Sequence, residues 1–107
     1  MAGDRAFTRE FILARIDKER TVQLAKWGEQ KQSLAGWISI AAEELGEAAQ
    51  HANEVLSRPE DLYQLNGFIL EMIQLAAVCV SACEDAQERA EPFMELGTPP
   101  PARPEGA

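Results

Sequence analysis

Two pairs of oxygen-bearing side chains recur at a spacing of three residues in the middle of the chain. The first pair is Glu44 and Glu47, within residues 41–47, and the second is Glu71 and Gln74. Residues three apart on a helix lie on one side of it, one turn above another. Carboxylate and amide oxygens are hard ligands that suit Mg²⁺ or Mn²⁺ and leave positions for water and substrate phosphate. If their two helices pack against each other, the pairs predict a metal-dependent phosphate site.

Both pairs are predicted to lie beside apolar positions. On a helical wheel, Glu44 adjoins an apolar arc that contains Ala41, Leu45, Ala48, Ala52 and Val55. Glu71 stands within the apolar run 69–76, where a buried carboxylate is costly unless it meets a cation or hydrogen-bond donors. Acidic residues on a helix are usually a solvated face. Glu71 favours a site because its neighbours predict that it faces inward.

The elements that must position these groups are predicted to be three helices, with no strand. Helical spacing of apolar residues indicates a first helix from Asp4 to about Lys26, a turn at Trp27-Gly28 and a second helix from Trp37 to Leu56. An all-α fold follows, in which the second and third helices pack antiparallel across a short link.

The third helix is predicted to begin at a capping signal. Ser57 can cap the helix and Pro59 suits its first turn. Glu60 follows Ser57 by three residues, which is the position of the glutamate in a capping box. It runs to about residue 90, since Pro92 prevents continuation. Gly67 weakens the helix locally and suggests a close contact with a neighbouring helix.

The net charge and the lengths of the apolar runs limit which partners and which location the protein can have. The 107 residues include 18 acidic and 10 basic side chains, a formal net charge of −8. This charge disfavours unassisted binding to nucleic acid polymers or anionic membranes, so bound phosphate needs a bridging cation. No run reaches the roughly 18 apolar residues of a membrane span, and residues 1–8 lack a secretory signal. We therefore expect a cytoplasmic protein in which Cys79 and Cys83 are reduced core residues.

The chain is predicted to form one helical domain, residues 1–97, followed by a disordered proline-rich tail, residues 98–107. Three helices of this size offer a thin core, and the third is apolar over more than one face around residues 75–80. A helix that is apolar nearly all round must be covered. We expect a homodimer or homotetramer that completes the helical bundle.

In order along the chain, the motifs resemble the MazG-like superfamily of all-α nucleoside triphosphate pyrophosphatases, which includes dCTP pyrophosphatases and dimeric dUTPases. The family pattern E-E-x-x-E is matched by residues 43–47, and the pattern E-x-x-D is matched imperfectly by residues 71–74. Similar features are the upstream stretch 26–30, Trp37 and the run 74–78. The resemblance covers about residues 20–84.

The resemblance implies hydrolysis of a nucleoside triphosphate between its α and β phosphates, giving the monophosphate and pyrophosphate. By position, Glu44, Glu47 and Glu71 would be Mg²⁺ ligands, and Gln74 stands where the family has Asp. Glu43 would be an outer-shell group or the base that orients water. Trp27 and Gln30 lie in the loop where relatives hold the base, although a core or interface role explains Trp27 equally well. Because the family's basic series is missing, Lys26, Lys31 or a neighbouring subunit would have to bind the phosphates.

Two departures from the family pattern favour a second interpretation, a non-catalytic member of the same fold that binds nucleotide or a protein partner. Gln74 removes one negative charge from the metal cluster. After the third helix, where relatives carry a Lys, Asn and Arg series that grips phosphates, this chain has only Arg89.

A third interpretation, a di-iron carboxylate bundle, requires Glu-x-x-His on its helices. His51 is the only histidine, and it follows Glu47 by four residues and Glu44 by seven. The spacing disfavours this interpretation and leaves His51 as a polar residue at the site edge or at an interface.

Overall fold

A computed structural model describes residues 8–29, 31–94 and 103–104. Three helices make up most of it: α1 (Arg9–Trp27), α2 (Leu34–Ser57) and α3 (Leu62–Ala90), followed by a short 3-10 helix (Glu91–Phe93). Helix α3 is central because it packs against both other helices. The all-α prediction with three main helices is confirmed, and the described ranges contain no strand.

Helix α1 begins later than predicted and ends where predicted. Thr8 has an extended backbone, and its side chain accepts a hydrogen bond from the Phe11 amide, so Thr8 caps the helix and Arg9 begins it. Residues 4–7, where the start was predicted, lie outside the described residues. At the other end Gly28 has φ 74° and donates to the Leu24 carbonyl. Glycine adopts this left-handed conformation without strain, so the predicted turn at Trp27-Gly28 is confirmed.

Helix α2 begins three residues before the predicted Trp37. Ser33 precedes it with an extended backbone, and the Ser33 hydroxyl accepts a hydrogen bond from the Gly36 amide over 2.9 Å. Leu34 is therefore the first helical residue. A serine in this role supplies an acceptor to an amide that otherwise lacks a partner in the first turn.

The predicted start of α3 at Ser57 is wrong. Ser57 is the last residue of α2, and Arg58, Pro59 and Glu60 form the reversal between the helices. Asp61 caps α3 instead, because its carboxylate accepts a hydrogen bond from the Gln64 amide over 3.2 Å. The predicted end near residue 90 is confirmed. Of the tail at 98–107, only residues 103 and 104 are described, so the predicted disorder lies largely outside the described residues.

The apolar core is small. Its buried apolar residues are Trp37, Ala48, Ile73, Ala77 and Val78. Cys79 and Cys83 are free thiols on exposed positions of α3, so the prediction that they belong to the core is wrong. The segment Leu62–Phe93 is long and apolar enough to cross a membrane by length and composition alone. That is weak support for a membrane span, because core helices of soluble proteins pass the same test.

Gly67 marks a close contact between α2 and α3, as predicted. A Cβ atom at this position would lie 2.6 Å from Nδ1 of His51. The imidazole is held there by a 2.6 Å hydrogen bond between Nδ1 and Oε1 of Gln64, and it meets the Tyr63 ring edge-on. Glycine therefore leaves room for the His51 ring.

We expect the added methyl group of Gly67→Ala to cost about 1–3 kcal/mol of unfolding free energy, because it displaces the His51 ring. Alanine regains roughly 1 kcal/mol over glycine in a helix, which leaves a net loss of up to about 2 kcal/mol. Urea denaturation measures it. The matched control is Gly67→Ala in a His51→Ala background, where no loss is expected. Equal losses in both backgrounds would contradict the steric explanation.

Candidate metal centre

The structure brings the two acidic pairs together between α2 and α3. Glu44 and Glu47 of α2 and Glu71 of α3 each offer a carboxylate oxygen, and these oxygens lie within 4.8 Å of one another. The helices are antiparallel, since His51 meets Gln64 near the link whereas Trp37 meets Asp85 at the far end. The i,i+3 spacing on α2 and the antiparallel packing together produce the acidic cluster, defined as Glu44, Glu47, Glu71 and Gln74.

Gln74 belongs to the acidic cluster through its carboxamide. With the amide nitrogen turned toward the carboxylates, Nε2 donates to Oε2 of Glu71 and to Oε2 of Glu44, 3.1 Å from each. A carboxamide offers a donor and an acceptor on one planar group. Gln74 can therefore bridge two carboxylates as a donor or present its oxygen to a cation.

Crowding of like charges shifts the acid–base behaviour of the cluster. The pKa of Glu71 is raised above its ordinary value, first by burial and then by hydrogen bonding with the Glu44 carboxyl group. The pKa of Glu47 is raised chiefly by its hydrogen bond with Glu71 and by repulsion from that carboxylate. His51 acts in the opposite direction on both pKa values. The cluster therefore favours uptake of positive charge, as a proton or a cation.

Glu43 does not join the cluster. It is exposed on α2, and it is not among the carboxylates that approach one another in the described part of the chain. Glu43 precedes Glu47 by four residues, about one helical turn, so it lies beside the cluster without belonging to it.

The predicted substrate residues lie around the end of α1 and the α1–α2 linker. Trp27 is 55% exposed, and Nζ of Lys26 lies 5.0 Å from its ring centroid. Lys31 contacts Oε1 of Glu88 at 2.5 Å, and this hydrogen bond raises the pKa of Lys31. Gln30, the other residue predicted to hold the base, lies outside the described residues.

A cleft lies between Trp27 at the end of α1 and the carboxyl-terminal half of α3. Its lining includes Trp27, Ile40 and Val78. Ile40 precedes Glu44 by four residues and Val78 follows Gln74 by four, which is about one helical turn in each case. None of the four acidic-cluster residues lines the cleft, which lies about one helical turn from Glu44 and Gln74.

Asp85 was not identified by the sequence analysis, yet it joins three segments of the chain. Its carboxylate accepts hydrogen bonds from Trp37 Nε1 at 2.7 Å, from the Gln32 amide at 3.3 Å and from Arg89 Nη2 at 2.7 Å. These contacts lower the pKa of Asp85, and the Trp37 hydrogen bond contributes most. The i,i+4 spacing of Asp85 and Arg89 was the available sequence signal.

Trp37 is 6% exposed and belongs to the core. We expect Trp37→Phe to lower the free energy of unfolding by about 1–3 kcal/mol, because it removes a buried hydrogen bond to a carboxylate and leaves unfilled volume. Urea denaturation checks this value. Trp27→Phe is the matched control, with an expected change within about 0.5 kcal/mol because Trp27 is exposed. Equal effects of the two substitutions would contradict the assigned role of Trp37.

The basic side chains near the cleft are paired with carboxylates of α3. Arg20 contacts Glu84 at 2.8 Å, Lys31 contacts Glu88, and Arg89 contacts Asp85 while also donating to the Gln32 carbonyl. These pairs tie α1 and the linker to the carboxyl-terminal half of α3. A phosphate group would have to compete with Glu84 or Glu88 for such a cation.

Comparisons with protein-family models, curated proteins and solved structures return no match for this chain. The MazG-like resemblance thus rests on the motifs in residues 20–84 alone.

Proposed function

We propose that this protein is a Mg²⁺-dependent nucleoside triphosphate pyrophosphohydrolase, with Mn²⁺ as an alternative ion. The observation that carries the proposal is the approach of Glu44, Glu47 and Glu71 to within 4.8 Å of one another. In the described residues, no lysine or arginine forms an ion pair with any of the three. Three neighbouring carboxylates that lack a cationic side-chain partner repel one another, and a cation from solution would relieve this repulsion.

The donor set suits Mg²⁺. Carboxylate oxygens are the hard ligands that Mg²⁺ prefers, and this ion commonly keeps positions for water and for substrate phosphates. Glu44, Glu47 and Glu71 would hold the ion, and the carboxamide oxygen of Gln74 would contact the ion or its water. Bound there, Mg²⁺ supplies neutralisation of the triphosphate and polarisation of the α-phosphoryl group.

The protein groups supply orientation and proton transfer. Glu47 is the exposed member of the three carboxylates, so an attacking water reaches it directly from solvent. Because a bound cation keeps its carboxylate ligands ionised, Glu47 can accept a hydrogen bond from that water while it holds the ion. Glu43 is the alternative group for orienting water, acting from outside the cluster.

The cleft supports a place for the nucleoside. Trp27 is exposed at its edge and offers a ring face on which a base can stack. Lys26 lies over that ring and can turn to a phosphate, and Lys31 can do so once it releases Glu88. Gln30 remains a predicted contact to the base. We place this activity in the cytoplasm, in nucleotide pool sanitation or phage nucleotide metabolism.

The direct test is to mix the purified protein with each ribo- and deoxyribonucleoside triphosphate and Mg²⁺ and to measure pyrophosphate. We expect release of pyrophosphate together with the matching monophosphate. The reference is the Glu44→Ala, Glu71→Ala double variant. Release no greater than that of the double variant for every triphosphate would reject the enzyme.

A second candidate is a non-catalytic member of the same fold that binds nucleotide or a protein partner. Gln74 favours it, because its amide nitrogen already satisfies Glu44 and Glu71 by donating to both. The ion pairs of Arg20, Lys31 and Arg89 with α3 carboxylates favour it too, since they leave few free cations for phosphates. Binding of a triphosphate without release of pyrophosphate would identify this candidate.

A further inference from the structure

Helix α2 carries an exposed apolar stripe along its whole length. Its large members are Leu34, Ile38, Leu45 and Leu56, which are 56%, 70%, 55% and 81% exposed. Half-buried Ala52 lies on the same side of the helix, between Leu45 and Leu56. A surface of this kind is unusual for a monomer and typically marks an interaction site.

The stripe does not face α3. Trp37 and Ala48 are the buried apolar residues of α2, and among the described helices only the backbone of α3 packs close to that of α2. At about 100° per residue, Leu45 lies roughly 60–80° around the helix from Trp37 and Ala48. The stripe is therefore a second apolar side of α2, separate from the one that α3 covers.

The charges of α2 leave this side free. The helix contains four glutamates, at positions 43, 44, 47 and 54, and neither lysine nor arginine. On the same wheel all four lie roughly 100° or more from Leu45. Two copies of the stripe can therefore meet without bringing like charges into the contact.

The pattern is also complementary to itself. When two identical helices pair antiparallel, the residue numbers of any two facing positions add up to the same total. With Leu45 facing Leu45, the register places Leu34 opposite Leu56 and Ile38 opposite Ala52. Apolar residues thus meet apolar residues along the full helix, with a small residue opposite the branched Ile38, as close helix packing requires.

We propose that a second copy of this chain covers the stripe, through antiparallel pairing of α2 with α2 about a two-fold axis beside Leu45. Such an interface is isologous, with the same patch used on both copies. Antiparallel pairing also opposes the two helix dipoles favourably. The small core of the single chain gives a reason for the association, because a second copy supplies apolar burial that three helices alone lack. The proposal is independent of the proposed enzymatic activity.

The first test is sedimentation velocity of the full chain at about 5–200 µM. This range of concentrations brackets the dissociation constants expected for an interface of modest size. We expect a dimer, or a tetramer that Leu45→Glu divides into dimers. Leu45→Glu puts two carboxylates face to face on the axis, and we expect it to raise the dissociation constant at least about 100-fold. The matched control is Gln50→Glu, on the polar side of the same helix, which should leave association unchanged.

The second test determines which residues of the two α2 helices face each other. It does not depend on whether the Leu45→Glu variant folds. In a background with Cys79→Ala and Cys83→Ala, we introduce Leu45→Cys and treat the protein with a short bismaleimide. We expect efficient cross-linking of Leu45→Cys to its own copy, and of Ile38→Cys to Ala52→Cys in a mixture of the two. Gln50→Cys should not cross-link.

Three outcomes would overturn the proposal. The first is a monomer across the whole concentration range. The second is an oligomer that Leu45→Glu leaves intact and in which Leu45→Cys does not cross-link. The third is a monomer that floats with phosphatidylcholine vesicles and loses this binding in Leu45→Glu, which would assign the stripe to a membrane surface.

Discussion

Glu71→Gln should lower Mg²⁺-dependent pyrophosphate release by at least about 100-fold, because even outer-shell partners of a metal change its affinity by roughly 10- to 100-fold. Glu71 is the α3 carboxylate of the acidic cluster, and its oxygens are met by Glu44, Glu47 and the Gln74 amide. The substitution keeps the size of the side chain but removes its charge and replaces one acceptor oxygen with an amide donor. Initial rates at saturating triphosphate, across a range of Mg²⁺ concentrations, measure the loss.

The matched control for this loss is Glu54→Gln. Glu54 lies on α2 as an exposed carboxylate outside the acidic cluster, so the control removes the same charge from the same protein. We expect its rate to stay within about twofold of the parent, since distant exposed charges act weakly through screening salt. Equal losses in Glu71→Gln and Glu54→Gln would show a general charge effect and would contradict a metal site at Glu71.

The second large effect is on stability, and it can be measured without any substrate. In excess chelator we expect Glu71→Gln to melt a few degrees higher than the parent, because the substitution removes repulsion among three carboxylates. Mg²⁺ at about 100 times its Kd should then raise the Tm of the parent by roughly 10 °C or more, since binding of that strength stabilises by about 2.7 kcal/mol. The same Mg²⁺ should leave the Tm of Glu71→Gln nearly unchanged.

Calorimetry with and without Mg²⁺ gives both Tm values. The order of the two proteins should therefore reverse between the two conditions. A parent protein that is more stable than Glu71→Gln in chelator, and indifferent to Mg²⁺, would indicate a structural hydrogen-bond network instead of an ion site.

The same cluster predicts the pH dependence of the metal-free protein. The pKa values of Glu47 and Glu71 are raised in the folded state from an ordinary value of 4.5. The folded state then binds more protons than the unfolded state just above that value, so the contribution of these groups to stability falls as pH rises through the raised pKa values. Asp85 acts oppositely. Because its pKa is lowered in the folded state, Asp85 contributes stability at pH values above its ordinary pKa, and this stability is lost as the pH falls.

Urea denaturation in chelator at a series of pH values separates these contributions. Between about pH 4.5 and neutrality, we expect the difference in unfolding free energy, parent minus Glu71→Gln, to become less favourable to the parent. A difference that is constant with pH would contradict the coupling of Glu71 to its neighbours.

The position of the acidic cluster could be predicted because it depends on local periodicity. Glu44 and Glu47 share a helix side by their spacing alone, and a short link forces the next helix to return beside it, which brings Glu71 and Gln74 near. The close contact at Gly67 follows from the same hairpin. What each residue does with a ligand does not follow from spacing and remains a prediction.

Other features depend on competition between similar local signals or on distant contacts. Ser57 and Asp61 are both good caps, and the chain uses Asp61 because the reversal occupies the residues between them. Asp85 meets Trp37 and Gln32 across 48 and 53 positions of sequence, which no local pattern reports. The exposure of Cys79 depends on which sides of α3 the other helices leave uncovered.

The most direct test of the acidic cluster as an ion site is a crystal structure with Mn²⁺ and a non-hydrolysable triphosphate, analysed by anomalous scattering. We predict an anomalous peak bonded to oxygens of Glu44, Glu47 and Glu71 and to the triphosphate, with the base against Trp27. A triphosphate bound elsewhere, or a cluster whose carboxylates contact only water and Gln74 at saturating Mn²⁺, would contradict the account.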